Sequence, residues 1–167
     1  STTNLKVDFG GGIKSVEDLN IAFDSGASQV TGGSIAVREP DMFLSWLEQY
    51  GSDKLILGAD SHHRKIMTQG WQEGSSMEVV SFIEDYVRQG IEYVIPTDIA
   101  KDGMLEGPAL DLYKEILSAA DVKLIASGGV TTLVDIKNLE EINCEGVIIG
   151  KAIYEGRISL HELSELC

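Results

Sequence analysis

VDFGGGIKS, residues 7–15, places three consecutive glycines between a short apolar run and a stretch with a helical pattern. Consecutive glycines are costly, because each loses more backbone freedom on folding than any other residue. Their use is explained if another group comes so close to the backbone that a Cβ atom would be in the way. Backbone N–H groups at the start of a helix bind anions, so the stretch predicts a β-then-α turn that faces a phosphate or a similar group.

The rest of the chain keeps the same strand-then-helix order. Six short runs rich in β-branched residues alternate with longer amphipathic stretches. The strands are expected at 5–9, 28–32, 54–59, 92–96, 122–126 and 146–150, and the helices near 16–25, 40–50, 76–89, 108–120, 132–142 and 159–166. Because the strands are apolar throughout, we expect a sheet covered on both faces. Six such units in succession predict a parallel α/β sheet, either doubly wound or a (β/α) barrel.

An internal repeat favours the barrel. Gly11-Gly12-Ile13 corresponds to Gly128-Gly129-Val130, and in the same register Gly33 corresponds to Gly150. In both halves a pair of glycines follows one strand and a further glycine ends the next. A doubly wound sheet has no reason to repeat this geometry, whereas a barrel built of related halves does.

The number of strands is smaller than a closed barrel needs. A closed barrel has eight strands and roughly 250 residues. The chain has 167 residues, so either the sheet is open or the first two βα units are absent from this sequence. At this length we expect residues 1–167 to form one domain.

Composition limits the expected partners and compartment. The formal net charge of −14 argues against nucleic acid or an anionic membrane surface as a partner. No apolar run approaches the roughly 20 residues of a membrane-spanning helix. The two cysteines, Cys144 and Cys167, stand before a strand and at the last residue, so we expect no structural disulfide and a cytoplasmic protein. A small phosphorylated ligand remains compatible with the charge, because backbone N–H groups bind phosphate without basic side chains.

The paired glycine turns are the first candidate site. The first cradle consists of Gly11, Gly12, Gly33 and Ser34, and the second cradle consists of Gly128, Gly129, Gly150 and Lys151, with Ser127 directly before it. A βα turn often needs glycine for its backbone alone, which is the alternative interpretation. A duplicated set at the carboxyl ends of strands favours phosphate binding. Two cradles on one face predict a ligand with two phosphate groups.

Asp60 is the second candidate. It follows the buried apolar run KLILGA, so its carboxyl group is expected at the mouth of the sheet, where a desolvated acid can donate a proton. The alternative is an aspartate that caps the next turn. His62 and His63 follow in a polar loop, and we expect them to be solvated and give them no catalytic role.

The segment PTDIAKDGMLEGP, residues 96–108, and the loop around Trp71 complete the candidates. Thr97 and Asp102 offer a hydroxyl and a carboxylate at the end of a strand, although Asp102-Gly103 is also ordinary turn chemistry. Trp71 lies in a polar stretch, where a ring is available to stack on a heterocycle. Trp46 lies in a helical stretch and is expected to pack in the core.

Seven segments of the chain match a known family in order and spacing. They are FGGGIKS, TGGSIAV, LGAD, the GW pair at 70–71, TDIAKDGMLEGP, ASGGV and GVIIGKAIYEG. From about residue 5 onward the chain resembles the isomerases of histidine biosynthesis, which are TIM-barrel enzymes. The resemblance implies the last six βα units of a TIM (β/α)8 barrel, and a substrate that carries a phosphate at each end.

The resemblance also implies a reaction and the residues that serve it. The reaction is a cofactor-free and metal-free Amadori rearrangement, in which an aminoaldose becomes an aminoketose by proton transfer. Asp60 matches the general acid, Thr97 and Asp102 match residues that orient the substrate, and Trp71 matches the ring that stacks on it. The residues that fall in the phosphate sites are Gly12, Gly33, Ser34, Gly128, Gly129, Gly150 and Lys151, and a monomer is expected.

Two departures from the family pattern bear on this interpretation. The family's catalytic base is an aspartate at the end of the first strand, which we expect to lie outside this sequence; Asp8 belongs to the third strand and is not its equivalent. Lys14 replaces an arginine, which keeps the charge but loses bidentate contact with phosphate. The alternatives are the sister cyclase subunit of imidazole glycerol phosphate synthase and a non-catalytic phosphate-binding barrel fragment.

Overall fold

The computed structural model describes residues 3–166. The strands are β1 Asp8–Gly10, β2 Gln29–Gly32, β3 Leu55–His62, β4 Lys65–Thr68, β5 Glu73–Glu78, β6 Tyr93–Asp98, β7 Lys123–Ser127 and β8 Gly146–Ile148. The helices are α1 Val16–Asp24, α2 Ser34–Arg38, α3 Pro40–Tyr50, α4 Val79–Arg88, α5 Leu110–Ala119, α6 Leu133–Glu141, α7 Lys151–Tyr154 and α8 Leu160–Ser164.

The order of the strands distinguishes a barrel from a doubly wound sheet. Six parallel strands follow one another as β1-β2-β3-β6-β7-β8, with β4 and β5 off this path. A doubly wound sheet reverses its strand order at a switch point, and this sheet does not. The fold is therefore a partial TIM barrel with six parallel strands, as the sequence predicted.

The core lies between the sheet and its helices. Leu55 and Leu57 of β3 are fully buried, as are Phe43 and Trp46 of α3. Gly32 permits this packing, because a Cβ atom on it would lie 2.5 Å from the Phe43 ring. Alternate residues of the central strands thus face the helices, and the intervening residues are left for the inner face of the partial barrel.

The two halves of the repeat have the same backbone at their glycine turns. Gly11 has φ of 97° and Gly128 has φ of 89°, while Gly12 and Gly129 have 79° and 81°. All four lie in the left-handed region, which an L side chain rarely adopts. The repeat that the sequence predicted is therefore confirmed in backbone geometry.

The helices that follow these turns begin in the same way. Ser15 and Asp18 form a capping box at α1, and Thr132 and Asp135 form one at α6. In each box the aspartate accepts hydrogen bonds from backbone N–H groups of the turn, at 2.8–3.0 Å. Both glycine turns are thereby tied to the first turn of their helix.

A hairpin made of β4 and β5 was not predicted. The polar composition of the segment indicates a loop, and the Asn-Gly pair typical of a hairpin turn does not occur in it. His63 and Arg64 form the turn that joins β3 to β4, which pair antiparallel, and have φ of 49° and 67°. The hairpin extends β3 to His62, so Asp60 does not end its strand as expected. The helix expected near residue 76 begins at Val79 for the same reason.

Other departures are local. The short helices α2 and α7 directly follow Gly33 and Gly150 and were not predicted. Pro108 was expected in the first turn of a helix, but α5 begins at Leu110. The expected cover on both faces of the sheet fails at β1, where Phe9 is 46% exposed. Within residues 3–166, β1 and β8 each pair with one strand only, and outer strands have fewer neighbours to cover them.

Candidate active site

Three predicted polar residues lie side by side at the carboxyl ends of neighbouring strands. Asp60 of β3 is in register with Thr97 of β6, and Thr97 is in register with Ser127 of β7. Neighbouring strands are about 4.8 Å apart, and residues in register point to the same face. Thr97 is 6% exposed, and its hydroxyl takes part in none of the side-chain hydrogen bonds found within residues 3–166. The row therefore offers a carboxyl and an uncommitted hydroxyl on one face.

Trp71 contacts the carboxyl group of this row. Its indole Nε1–H donates a hydrogen bond to Asp60 Oδ2 over 2.8 Å. The ring lies in the turn between β4 and β5 and is 42% exposed. Trp71 therefore lies outside the core, as expected. Trp46 is 1% exposed, so its expected place in the core is confirmed too. His62 and His63 are exposed, with ring centres 4.1 Å apart.

The second cradle forms a cavity of about 230 Å³. Its lining includes Asp102, Ser127, Gly128, Gly129, Gly150 and Lys151. All six were singled out from the sequence, and the fold brings them to one place. The cavity joins the end of the polar row through Ser127.

The loop over residues 99–109 lies directly on this cradle. A Cβ atom on Gly129 would come within 2.8 Å of the carbonyl carbon of Gly107, so only glycine fits there. The Gly107 N–H donates to the Gly129 carbonyl over 3.0 Å. Lys151 Nζ donates to the Gly103 carbonyl over 2.8 Å and lies 3.6 Å from Glu155 Oε1. Asp102 is carried over Gly128 by the same loop.

The first cradle has a more open arrangement. Gly33 packs against the backbone of Gly58, whose own Cβ position would lie 3.1 Å from the Gly33 Cα. Ser34 Oγ accepts a hydrogen bond from the Gln69 N–H of the hairpin over 3.0 Å. Gly11 and Gly12 have no atom within 4 Å of their Cβ positions and line a separate groove beside α1. The four residues therefore do not share one cavity, unlike those of the second cradle.

Tyr113 supports the polar row and was not found from the sequence. It is fully buried on α5, and its hydroxyl donates to the Ser127 carbonyl over 2.7 Å. Desolvation raises the pKa of this phenol above its ordinary value, so the hydroxyl stays protonated as a donor. A tyrosine on a buried helix face needs a partner for its O–H, but the sequence does not show which partner.

Asp8 is a further carboxyl group on the inner face that the sequence did not assign to the site. Its carboxylate accepts from Thr31 Oγ1 at 2.8 and 2.9 Å. Thr31 is in register with Ile56 of β3. Ile56 and Asp60 are four residues apart on this strand, so both point to the same face of the sheet. Desolvation raises the pKa of Asp8, and the hydrogen bond from Thr31 opposes this in part. The inner face thus carries Asp8 as well as Asp60.

Neither a metal-binding cluster nor a membrane-spanning helix is present among residues 3–166. Residues 3–166 contain no group of three His, Cys, Asp or Glu side chains arranged to hold a metal ion. No helix in this part of the chain is both long and apolar enough to cross a membrane.

Comparison with known proteins gives the family. The model of the histidine biosynthesis protein family matches residues 1–159. A 1-(5-phosphoribosyl)-5-((5-phosphoribosylamino)methylideneamino) imidazole-4-carboxamide isomerase of Flavobacterium johnsoniae is 60% identical over 162 residues, which cover 96% of this chain and 68% of the relative. The chain belongs to the histidine biosynthesis protein family. The resemblance that the sequence motifs predicted is therefore confirmed.

Other members of the family with the same isomerase name are also similar. The isomerase of Bacteroides fragilis is 58% identical over 164 residues, covering 98% of this chain and 69% of that protein. The isomerase of Cytophaga hutchinsonii is 49% identical over 166 residues, covering 99% and 69%. The predicted enzyme class, an isomerase that interconverts an aminoaldose and an aminoketose, is confirmed by these relatives, and none of the three bears the cyclase name.

Proposed function

We propose that this chain binds an imidazole carboxamide ribonucleotide with a phosphate at each end and supplies the general acid for its Amadori rearrangement. The observation that carries the proposal is the register of Asp60, Thr97 and Ser127, which leads from a carboxyl group directly into the second cradle. The names of the relatives support the substrate, since they contain two phosphoribosyl groups.

The chemistry needs a proton donor beside the sugar ring. Asp60 donates its proton to the ring oxygen while the bond from C1 to that oxygen breaks and the nitrogen lone pair forms C=N, which opens the ring and leaves a protonated imine. A base then takes the proton from C2, and the enaminol that forms tautomerises to the aminoketose. Atoms and electrons balance without an external oxidant or reductant. Thr97, whose hydroxyl is uncommitted, is placed to hold a sugar oxygen.

The cradles are proposed to hold the phosphates. In the second cradle, Gly128 and Gly129 line the cavity with positive φ, their backbone N–H groups are proposed to donate to the phosphate, and Lys151 adds a positive charge. Such local donors bind an anion even though the chain carries a net charge of −14. In the first cradle, Ser34 offers its hydroxyl and Gly33 lies at the end of β2.

The remaining parts of the proposal concern Trp71 and the state of the protein. Trp71 is half-exposed beside Asp60, which suits a ring that stacks on the imidazole of the substrate. We further propose a monomer in the cytoplasm, and the free Cys144 supports a reducing compartment.

Turnover by variants of a single carboxyl group, made in the full-length protein that also contains the aspartate base, tests the proposal. Asp60→Asn keeps the shape of the side chain but removes the transferable proton, so the rate is expected to fall by about 100-fold or more. Asp53→Asn is the matched control, because Asp53 precedes β3 at its opposite end. Binding of the substrate is measured in parallel by calorimetry and is expected to persist in both variants.

The outcomes separate the candidates. Retention of most of the activity by Asp60→Asn would remove this residue from the mechanism. Saturable binding of the substrate with no turnover, in a protein that also contains the aspartate base, would instead favour the phosphate-binding barrel without activity.

A further inference from the structure

The turn that carries Trp71 has an unusual backbone. Gln69, Gly70 and Trp71 have φ of 54°, 60° and 71°, so three consecutive residues lie in the left-handed region. Two of them carry L side chains, which rarely adopt this conformation. Such a turn persists only where its surroundings hold it.

Two hydrogen bonds hold the two ends of the strained turn. At one end, the Gln69 N–H donates to Ser34 Oγ over 3.0 Å. At the other end, the Trp71 indole N–H donates to Asp60 Oδ2 over 2.8 Å. The turn therefore bridges the first cradle and the candidate acid.

An ion pair reinforces the contact with the first cradle. Arg38, the last residue of α2, pairs with Glu73 of β5 over 2.6 Å. Glu73 also accepts a hydrogen bond from the Gln69 side-chain amide over 2.6 Å. Both ends of the short helix α2, Ser34 and Arg38, thus contact the hairpin.

The hydroxyl of Ser34 is used as an acceptor only. Its oxygen accepts from Gln69, and no hydrogen bond donated by this hydroxyl is found within residues 3–166. A serine hydroxyl can accept one hydrogen bond while it donates another. We propose that Ser34 is a positioning residue for Trp71: its oxygen fixes the strained turn, and its proton is donated to the phosphate bound at the first cradle. This inference rests on the proposed function, because it requires an anion at that cradle.

The second half of the repeat has a contact of the same kind. Lys151 occupies the position that corresponds to Ser34, directly after the glycine that precedes the short helix. Its Nζ donates to the Gly103 carbonyl of the loop that carries Asp102. In both halves, the residue after this glycine therefore ties a loop with a candidate site residue to a cradle.

The arrangement couples the anion to the aromatic ring. A phosphate that accepts the proton of Ser34 polarises the hydroxyl, which strengthens the hydrogen bond from Gln69. The turn is then held more firmly, and Trp71 stays beside Asp60. By linkage, a docked turn raises the affinity for phosphate by the same factor.

Fluorine NMR of the chain labelled with 5-fluorotryptophan tests the coupling. The chain has two tryptophans, and Trp71→Phe assigns their two signals. Inorganic phosphate is the probe, and its binding is measured separately by calorimetry. We expect saturating phosphate to shift the signal of Trp71, while the signal of the buried Trp46 stays in place as an internal reference.

Variants of Ser34 isolate the hydroxyl. Loss of one hydrogen bond is expected to reduce the docked population of the turn by about threefold to tenfold. Ser34→Ala should therefore move the Trp71 signal without phosphate and abolish its response to saturating phosphate. Ser34→Thr keeps the hydroxyl and should restore both. Ser45→Ala is the control, because the Ser45 hydroxyl donates to a carbonyl within α3.

A second pair of variants tests the hairpin without touching a cradle donor. Arg38→Met removes the ion pair with Glu73 and should weaken the phosphate response of Trp71. Lys65→Met removes a similar exposed ion pair, to Glu78 at the other end of the same hairpin, and should leave the response unchanged.

The failure of this inference can be told apart from that of the phosphate site. If calorimetry shows that phosphate binds but the Trp71 signal responds equally in the unsubstituted protein and in Ser34→Ala, Ser34 has no positioning role, although the phosphate site stands. Absence of phosphate binding would overturn the site and the coupling together. If Ser34→Ala leaves the Trp71 signal unchanged in the absence of phosphate, Ser34 does not fix the turn, whether or not phosphate binds.

Discussion

Replacement of Gly129 by alanine gives a quantitative test of how closely the loop over residues 99–109 lies on the second cradle. The new Cβ would stand 2.8 Å from the Gly107 carbonyl carbon and 3.2 Å from the Pro108 nitrogen. These are backbone atoms, so the loop must move as a whole. Overpacking of this kind costs about 1–3 kcal/mol. The positive φ of 81° adds about 1 kcal/mol for an L residue.

The repeat provides the matched control. Gly12 corresponds to Gly129 and has φ of 79°, but its Cβ position has no atom within 4 Å. Gly12→Ala therefore carries the backbone cost alone. We expect Gly129→Ala to lower the free energy of unfolding by about 2–4 kcal/mol, and Gly12→Ala by about 1 kcal/mol.

Urea unfolding at neutral pH measures both variants against the unsubstituted chain. The difference between the two isolates the contact with the loop, because the backbone cost is shared. Equal losses for Gly12→Ala and Gly129→Ala, within about 0.5 kcal/mol, would refute the close approach of the Gly107 backbone. Phosphate affinity, measured in parallel, is expected to fall more for Gly129→Ala.

Two further predictions concern groups that the sequence did not assign. The raised pKa of Asp8 means that the folded state binds its proton more tightly, so this group lowers the free energy of unfolding as pH rises from the ordinary pKa of 3.8 through the raised pKa. In urea unfolding from pH 4 to 7, Asp8→Asn should remove this part of the pH dependence and Thr31→Val should steepen it. An unchanged slope in both variants would contradict the desolvation of Asp8. Tyr113→Phe removes the donor to the Ser127 carbonyl and should lower the free energy of unfolding by about 1–2 kcal/mol, whereas a neutral result would mean that the carbonyl finds another partner.

Much of the frame is predictable from the sequence because it depends on local chemistry. Gly128 and Gly129 need a left-handed backbone, and Thr132 with Asp135 caps the next helix. These signals act within a few residues of each other, so they are visible as a motif and as a repeat. The six parallel strands follow from the same alternation of short and long apolar patterns.

The hairpin was not predictable, because its turns break the usual rules. His63 and Arg64 stand where Asn-Gly is usual, and Gln69 and Trp71 adopt a backbone that favours glycine. Their conformation is held by distant residues, Ser34 among them, and single-sequence patterns carry no information about such contacts. The place of Trp71 beside its acceptor follows from the same tertiary contacts.

The candidate site was predictable by residue type more than by arrangement. Placing Asp60 at the end of a strand was wrong by two residues, since β3 continues to His62. Its register with Thr97 depends on strand pairing, which the sequence does not specify residue by residue. Gly11 lines a groove separate from the rest of the first cradle, and the sequence does not predict this separation either.

The central claim is that two separate cradles hold the two phosphates of one ligand on either side of Asp60. Phosphorus NMR during titration with the bis-phosphorylated aminoaldose tests this most directly, because its two phosphates give separate signals. We expect both signals to shift together and to saturate at one ligand per chain. A titration in which only one signal moves, or in which two ligands bind per chain, would contradict the claim.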